Sequence, residues 1–161
     1  MEYPILFIKC IKVVLDNEGG YVWHPNDPGG ETNMGIAKLF YPNLDIKNLT
    51  KEQAISIYFR DYWKNMHLDK IHNDNLVLQV FDFGVNAGTK RSVKILQSMV
   101  GVDVDGVIGP VTSYFVNYYS GNTVEEFKEK RREYYRSLVD RRPSMKVFLN
   151  GWLHRVNNTK F

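Results

Sequence analysis

The chain has 161 residues, of which 43% are hydrophobic and 14% aromatic, and this composition excludes global disorder. Its length fits one domain, with room for a small appended part. The formal net charge of +3 is a mild bias towards anionic partners that does not select among cell wall, nucleic acid and membrane surfaces. The single cysteine, Cys10, excludes an internal disulfide and is expected to be a buried thiol.

The first predicted element is an amphipathic helix over residues 4–17, which ends at Gly19 and Gly20. The apolar positions at helical spacing are Ile5, Ile8, Ile11 and Leu15. Residues 19–35 then hold five of the twelve glycines, together with Pro25 and Pro28. This composition predicts a long irregular loop or a short hairpin.

The N-terminal segment lacks the features of a signal peptide. Glu2 is acidic where a signal would be basic, Lys9 and Lys12 interrupt the apolar run, and no small-residue cleavage site follows. The run is also too short and too charged to span a bilayer. We therefore expect the protein to be made in the cytoplasm, so that a substrate outside the membrane would require release by another factor.

The rest of the chain predicts six further helices, which gives an all-α fold with one elaborated loop. Capping boxes are expected at Thr50 and Thr123, and a capping aspartate at Asp74. The predicted ranges are 50–66, 74–87, 89–101, 110–119, 123–141 and a terminal helix that carries Phe148, Trp152 and Val156. The basic run Lys128, Lys130, Arg131, Arg132 and Arg136 is interleaved with glutamates, which favours a solvated face with ion pairs over a nucleic-acid patch.

The loop after the first helix carries the residues most suited to chemistry. Glu18 ends the helix, Asp27 follows nine residues later, and Thr32 five residues after that. Glycoside cleavage needs one protonated carboxyl group, and burial near the negative pole of a helix would favour the protonated form of Glu18. Asp27 on a hydrated loop would suit the ionised second carboxylate, and Thr32 could hold the attacking water. The alternative is that Glu18 caps a helix and 27–30 is a simple turn.

The stretch from Glu18 to Ile36 resembles the signature of glycoside hydrolase family 108, bacterial and prophage N-acetylmuramidases: E-G-G-Y, then D-P-x-D-P-G-G, then T-N-x-G-I. His24 replaces the first aspartate of that pattern. The resemblance implies that Glu18 is the catalytic glutamate and that the fold is lysozyme-like. Tyr21 and Asn33, within the same signature, become candidate substrate contacts. The order Glu, Asp, Thr is similar to the triad of phage-type lysozymes, and Glu31 is a rival to Asp27 as the second carboxylate.

A second stretch supports the same family. The pair Tyr62-Trp63 and the run from Asp82 to Gly88, which contains Asn86, resemble the family's Tyr-Trp pair and its F-D-x-x-V-N-x-G run. Aromatic faces stack on sugars and amides bind hydroxyl and N-acetyl groups, so Tyr62, Trp63 and Asn86 are candidate substrate contacts. Core packing is the alternative for Tyr62 and Trp63, a structural hydrogen bond for Asp82, and a helix cap for Asn86.

The C-terminal half resembles helical peptidoglycan-binding modules. Leu96-Gln97 and the stretch from Asp105-Gly106 to Gly109-Pro110 match the pattern of these modules, although they are also good structural punctuation. The closing run from Phe148 to Arg155 is similar to the family's F-x-x-G-W-x-x-R and is expected to pack the last helix. We therefore predict a catalytic part over 1–88 and a peptidoglycan-binding part over 89–161, packed on the same globule.

No metal or other cofactor is expected. His24, His67, His72 and His154 lack metal-ligand spacing, and Asp103 with Asp105 does not make an EF-hand loop. The expected partner is the peptidoglycan glycan strand, with no nucleic acid, no stable membrane association and a monomeric state.

The resemblance implies hydrolysis of the β-1,4 bond between N-acetylmuramic acid and N-acetylglucosamine, and a prophage endolysin released through a holin pore. The alternatives are a lytic transglycosylase, and a non-catalytic wall-binding or secretion-associated protein. The sequence leaves open whether the reaction inverts or retains configuration.

Overall fold

The computed structural model describes residues 2–23 and 29–161, and in this part the chain folds into seven α-helices and three short strands. In chain order these are α1 (Ile5–Asn17), β1 (Val22–Trp23), β2 (Glu31–Asn33), β3 (Ile36–Ala37), α2 (Lys51–Tyr58), α3 (Asp74–Ala87), α4 (Thr89–Val100), α5 (Pro110–Asn117), α6 (Thr123–Arg141) and α7 (Lys146–Asn158). A π-helical segment, Phe59–Trp63, continues α2, and 3₁₀ turns occupy Leu68–Lys70 and Pro143–Met145. The predicted all-α, lysozyme-like class is confirmed.

The glycine-rich loop forms a small antiparallel sheet in the order β1-β2-β3. Val22 pairs with Thr32, and Asn33 pairs with Ile36. The side chain of Asn33 is buried and donates to the carbonyl of Ile46 at 3.0 Å, which ties β2 to the following loop. His24 and Asp27 lie outside the described residues.

The buried face of α1 differs from the predicted one. Phe7, Cys10, Ile11 and Val14 are buried, whereas Ile5 is 80% and Ile8 40% exposed. The prediction was right for Ile11 and wrong for Ile5 and Ile8, because α1 is apolar on most of its circumference and more than one set of positions fits a helical repeat. Only the neighbouring helices decide which set is covered.

Helix starts follow local hydrogen bonding. The capping box at Thr50 is confirmed, with Thr50 and Gln53 bonding to each other's backbone N–H groups. The caps of α3 and α6 are Asn73 and Asn122, one residue before the predicted Asp74 and Thr123. In both cases an asparagine side chain accepts a backbone N–H three residues later, which is the geometry that defines an N-cap.

The single helix predicted over 50–66 is interrupted by the π-helical segment, whose wide turn changes the direction of its side chains. Trp63 is thereby 4% exposed, and its ring packs 5.3 Å from the rings of both Phe7 and Phe81. Phe59 also packs on Phe7, at 4.9 Å. This aromatic cluster joins α1, the π-helical segment and α3.

Helix α3 is the centre of the molecule. Every residue from Leu76 to Gly84 is buried, and α3 packs against α1, α4 and α6. The only ionisable side chain in that stretch is Asp82, which is fully buried. Apart from Asp82, the stretch holds one polar side chain, Gln79, so a charge on Asp82 must be compensated by cations or hydrogen-bond donors from other elements.

One amide organises the connection between α4 and α5. The Gln97 Nε2 group donates to Asp105 at 2.8 Å and to Thr112 at 3.0 Å, and its Oε1 accepts the N–H of Gly106. The polar side chains of this turn therefore bond to one another, which favours a structural role for the turn. Hydrogen bonds also hold the pKa of the Asp105 carboxyl group below its ordinary value, and the bond from Gln97 contributes most.

The hydrophobic core is continuous across the two predicted parts, since Val93, Phe127 and Val156 belong to the same buried cluster as Phe7. The division at residue 88 stays a prediction. Gly88 caps the end of α3, and α4 begins at the next residue. Within the described residues, no helix combines the length and apolar character needed to cross a membrane.

Two substitutions on α1 test which of its faces is buried. Phe7→Ala should lower the free energy of unfolding by about 3–5 kcal/mol, because it removes a fully buried ring from the aromatic cluster. Ile5→Ala should change it by no more than about 0.5 kcal/mol, because Ile5 is exposed. Urea denaturation of both variants measures the difference. Equal effects would contradict the packing of α1 described above.

Candidate active site

Glu18 follows the last residue of α1 in extended conformation, with φ −87° and ψ 152°. Its backbone N–H still donates to the carbonyl of Val14 at 3.0 Å, so the position is fixed by the helix end. The side chain is 18% exposed. The carboxyl group is thus mostly covered by protein while one part stays accessible, which is the exposure that a group acting on a bound substrate needs.

The partner of Glu18 is Arg155 on α7, whose Nη1 donates to the Glu18 carboxylate at 3.0 Å. The other side of the same guanidinium, Nε and Nη2, donates to Asp82 at 3.0 and 2.8 Å. Burial disfavours the charge of Arg155, but the two carboxylates hold its pKa above its ordinary value. Arg155 is therefore a charged bridge between the central helix and Glu18.

Asp82 accepts hydrogen bonds from four side chains: Asn17, Arg131, Arg155 and Thr159. Burial alone would raise its pKa, yet the bonds from Arg155 and the charges of Arg155 and Arg131 hold the pKa below its ordinary value. Since Asn17 immediately precedes Glu18, this network also fixes the end of α1. These bonds favour a structural role for Asp82, which was the alternative given in the sequence analysis. The side chains that bond to Asp82 come from α1, α6 and the C-terminal end of α7.

Arg131 corrects the prediction of a solvated basic face on α6. It is fully buried, with Nη2 at 2.8 Å from Asp82, Nη1 at 2.7 Å from Gln79, and the guanidinium over the ring of Phe83. The other cations of that run form surface pairs, for example Lys130 with Glu133. Arg131 differs because it shares the buried stripe of α6 with Phe127 and Tyr135.

Gly35 and Tyr58 cover Glu18 from the side of the sheet. Gly35 has a left-handed backbone, with φ +79°, and a Cβ placed there would come within 2.8 Å of the Glu18 Cδ and against the Tyr58 hydroxyl. The Tyr58 hydroxyl donates to the carbonyl of Met34 at 2.8 Å. Burial, with the Glu18 charge second, raises the pKa of Tyr58. The glycine of the T-N-x-G-I motif thus gives Glu18 the room it occupies.

A cavity of about 470 Å³ lies between the loop after β3 and the end of α3. Its lining includes Phe40, Tyr41, Asp61, Tyr62 and Asn86. Burial, then the charges of Asp61 and Glu18, raise the pKa of Tyr62. The Tyr62 ring packs 5.1 Å from the ring of Tyr58, whose hydroxyl lies beside Glu18, so Tyr58 links the wall of the cavity to Glu18. The side-chain Oδ1 of Asn86 accepts a hydrogen bond from the Tyr135 hydroxyl. The cavity combines aromatic, amide and carboxylate groups, as sugar sites do.

The remaining predicted site residues are placed less favourably for substrate contact. Trp63 is buried, which favours core packing, and the Asn33 amide is used by backbone carbonyls. Thr32 is the middle residue of β2, and its role stays a prediction.

Tyr21 is 39% exposed. Burial raises the pKa of Tyr21, and so do the charge of Glu31 and the hydrogen bond between Tyr21 and Glu31. Asp27 lies outside the described residues.

Three residues at this site were not predicted to be functional: Arg155, Tyr58 and Gly35. Arg155 was expected only to pack the last helix, and Tyr58 lies in the predicted helix over 50–66 without an assigned role. One feature of the sequence could have pointed to Arg155: an acid within a buried helix, Asp82, needs a cation at a core position of another helix. Sequence spacing does not reveal such a pairing, because 73 residues separate Asp82 from Arg155.

The Asp82 network predicts a specific dependence of stability on pH. Asp82→Asn should lower the free energy of unfolding at pH 7 by about 3–5 kcal/mol, because it leaves buried Arg131 without its counter-charge. The folded-state pKa of Asp82 is depressed, so its stabilisation is complete above the unfolded value of about 3.9 and is lost as the pH falls through the folded value. The gap, which is the difference in free energy of unfolding between wild type and Asp82→Asn, should therefore narrow below about pH 4.

Urea denaturation at pH 7 and pH 3 measures this gap. Asp140→Asn is the matched control, because Asp140 is exposed on the same helix as Arg131 and should change stability by no more than about 0.5 kcal/mol. A gap that stays constant or widens in acid would contradict an ionised Asp82.

Comparison with known families agrees with this geometry. The model of the family "Glycosyl hydrolase 108" matches residues 11–88, and that of the "Predicted Peptidoglycan domain" matches residues 91–157. No curated protein sequence matches the chain. Among solved structures, SagA of Brucella abortus is similar, with a TM-score of 0.82 and 34% identity over 95% of this chain and 90% of that chain.

The first matched segment contains Glu18 and Asp82, and the second contains Arg131 and Arg155. The network around Glu18 is therefore built from both segments. These matches extend the resemblance seen in the sequence to nearly the whole chain. The chain belongs to glycosyl hydrolase family 108, carries a C-terminal peptidoglycan-binding segment, and is a glycosidase that acts on peptidoglycan.

Proposed function

We propose that this protein is an N-acetylmuramidase, which hydrolyses the β-1,4 bond between N-acetylmuramic acid and N-acetylglucosamine with Glu18 as general acid. The observation that carries the proposal is the position of Glu18 at a fixed helix end. There it is mostly buried, held by Arg155, and beside the Tyr58 hydroxyl, while the Tyr58 ring packs 5.1 Å from the ring of Tyr62 in the wall of a polar and aromatic cavity. No cofactor is required for this reaction.

The proton supply is the central chemical requirement. A general acid must keep a fixed position relative to the glycosidic oxygen, and the hydrogen bond from Arg155 Nη1 at 3.0 Å holds the Glu18 carboxyl group in place. Arg155 is anchored to Asp82, so it keeps its position when Glu18 becomes neutral. We therefore propose Arg155 as a positioning residue.

The second carboxylate is proposed to be Asp27, with Thr32 holding the attacking water. Glu31 remains the rival. Its hydrogen bond with Tyr21 favours a role in holding the loop together, because the bond occupies an acceptor that catalysis would need. The separation between the two carboxyl groups decides the stereochemistry: about 6.5–9.5 Å for inversion and about 5–5.5 Å for retention.

Sugar contacts are proposed at Tyr62 and Asn86, which line the cavity next to Glu18. Tyr21 is exposed enough to contribute. Asn33 and Trp63 would act indirectly, since Asn33 fixes β2 and Trp63 fixes the π-helical segment that carries Tyr62. Their substitution should therefore reduce stability and activity together.

Two other functions use the same geometry. A lytic transglycosylase would use Glu18 alone and no water. A wall-binding or secretion-associated protein that has lost catalysis would keep the fold without using Glu18. The geometry of Glu18 favours a catalytic protein, because its carboxyl group is held in a fixed position while part of it stays accessible.

The decisive experiment compares wild type with Glu18→Gln on a peptidoglycan suspension. Wild type should clear the suspension and Glu18→Gln should lose at least about 10²-fold in rate, because an amide cannot donate the required proton. The melting temperature should change little, since the glutamine oxygen can still accept from Arg155. Glu52→Gln, an exposed carboxylate on α2, is the control and should remain active.

Mass spectrometry of the released fragments separates the remaining possibilities. Reducing ends indicate hydrolysis, and anhydro sugars indicate transglycosylation. If wild type and Glu18→Gln both bind the wall and neither clears it, the binding function is correct and the enzymatic proposal is wrong.

A pair of glycine substitutions tests whether the space over Glu18 matters. Gly35→Ala should lower activity at least about tenfold, because its methyl group would displace Glu18 or the Tyr58 hydroxyl. Gly101 is the control, because its φ is also +79° but a Cβ placed there has no atom within 4 Å. Gly101→Ala should therefore lower stability only by the backbone strain of about 1–2 kcal/mol. The melting temperature should fall for both variants, and further for Gly35→Ala, whereas the clearing rate of the folded protein should fall only for Gly35→Ala. Similar activity in both would contradict the close contact.

A further inference from the structure

A basic groove on α4 takes no part in the chemistry proposed above. Its volume is about 500 Å³, and it is lined by three cations, Lys90, Arg91 and Lys94, with Ile95, Ser98 and Val104. All three cations are exposed. The groove therefore offers several positive charges beside a partly apolar floor.

The charges of this groove are largely uncompensated. None of the three cations takes part in an ion pair with the residues that the structure describes. Arg91 is held in place by a bond to the carbonyl of Ala87 at 2.7 Å and by the ring of Tyr134. Asp105 is the acidic neighbour of Lys90, and its carboxylate is already bonded to Gln97 and Val107. A net positive field remains over the groove, which suits an anionic ligand.

Shared lining residues relate the groove to the cavity lined by Tyr62. That cavity extends to Thr89, and a smaller one of about 210 Å³ is lined by both Thr89 and Lys90. Lys90 in turn lines the basic groove. The three cavities are therefore neighbours along the first turns of α4, from Thr89 to Lys94.

We infer that the basic groove binds the carboxylates of the stem peptides that branch from muramic acid in peptidoglycan. The inference rests on the proposed function, because it requires a glycan strand beside Glu18. Stem peptides are acidic, and an extended peptide spans about 3.3–3.6 Å per residue, so a few residues reach well beyond the sugar. Lysine ammonium groups bind carboxylates, while Ile95 and Val104 can contact apolar peptide side chains.

The test measures binding in a Glu18→Gln background, so that the wall is not digested. Lys90→Gln/Lys94→Gln removes two charges from the groove. The matched control, Lys12→Gln/Lys51→Gln, removes two exposed charges from α1 and α2 that line none of these cavities. Both double variants are sedimented with sacculi free of phosphate-containing polymers, and with the same sacculi after an amidase has removed their stem peptides.

The groove variant should bind intact sacculi about three- to tenfold more weakly than the control at low salt, and the difference should shrink as salt is added. On peptide-stripped glycan the two variants should bind equally. Equal binding to intact sacculi would overturn the inference. An undiminished loss on stripped glycan would also overturn it, because the groove would then contact sugar. A difference seen only on walls that carry phosphate polymers would assign the groove to those polymers instead.

Lys90 packs against Gly106, so the double variant is also checked for its melting temperature. If it unfolds early, Lys94→Gln against Lys12→Gln gives the same comparison with a smaller ratio. The two proposals fail separately. A wild-type protein that clears no peptidoglycan contradicts the hydrolysis, whereas the binding ratio between the charge variants tests the groove alone.

Discussion

The structure depends on one buried carboxylate, Asp82, and on the two arginines that neutralise it. An ionised group in the centre of an apolar helix is stable only when its charge and its hydrogen-bonding capacity are both satisfied. Arg131 and Arg155 supply the charge, and Asn17 and Thr159 complete the bonding. This single requirement brings the end of α1, the centre of α3, and helices α6 and α7 to one point.

The candidate active site is a consequence of that requirement. Arg155 has more donors than Asp82 accepts, and the remaining Nη1 bonds to Glu18. The catalytic candidate is therefore positioned by the core of the protein, although its own loop is rich in glycine. Gly35 and Tyr58 close the other side, so that Glu18 has little freedom to move. Such a preorganised carboxyl group is the arrangement that acid catalysis needs, since a misplaced proton donor loses much of its effect.

The two family segments cooperate more closely than a catalytic part and a binding part joined in series. The segment with Glu18 contains the proposed acid and most of the lining of the cavity near it, and the segment with Arg155 contains the group that holds this acid. The basic groove on α4 shares Lys90 with a smaller cavity, which in turn shares Thr89 with the cavity near Glu18. The proposed sugar and peptide contacts therefore lie on neighbouring parts of the two segments.

The sequence by itself determined the helical class, the capping box at Thr50 and the ends of α3 and α4 at glycines, because these depend on local propensity. It also yielded Glu18 as the proposed acid, because the motif around it is contiguous in the chain. It did not determine which face of α1 is buried, since Phe7 and Ile5 are both apolar and both fit a helical repeat. Nor did it distinguish Arg131 from the solvated cations beside it, or reveal that Arg155 reaches Glu18. Those features were decided by tertiary structure alone, because a buried charge acquires its partner only when helices distant in sequence pack together.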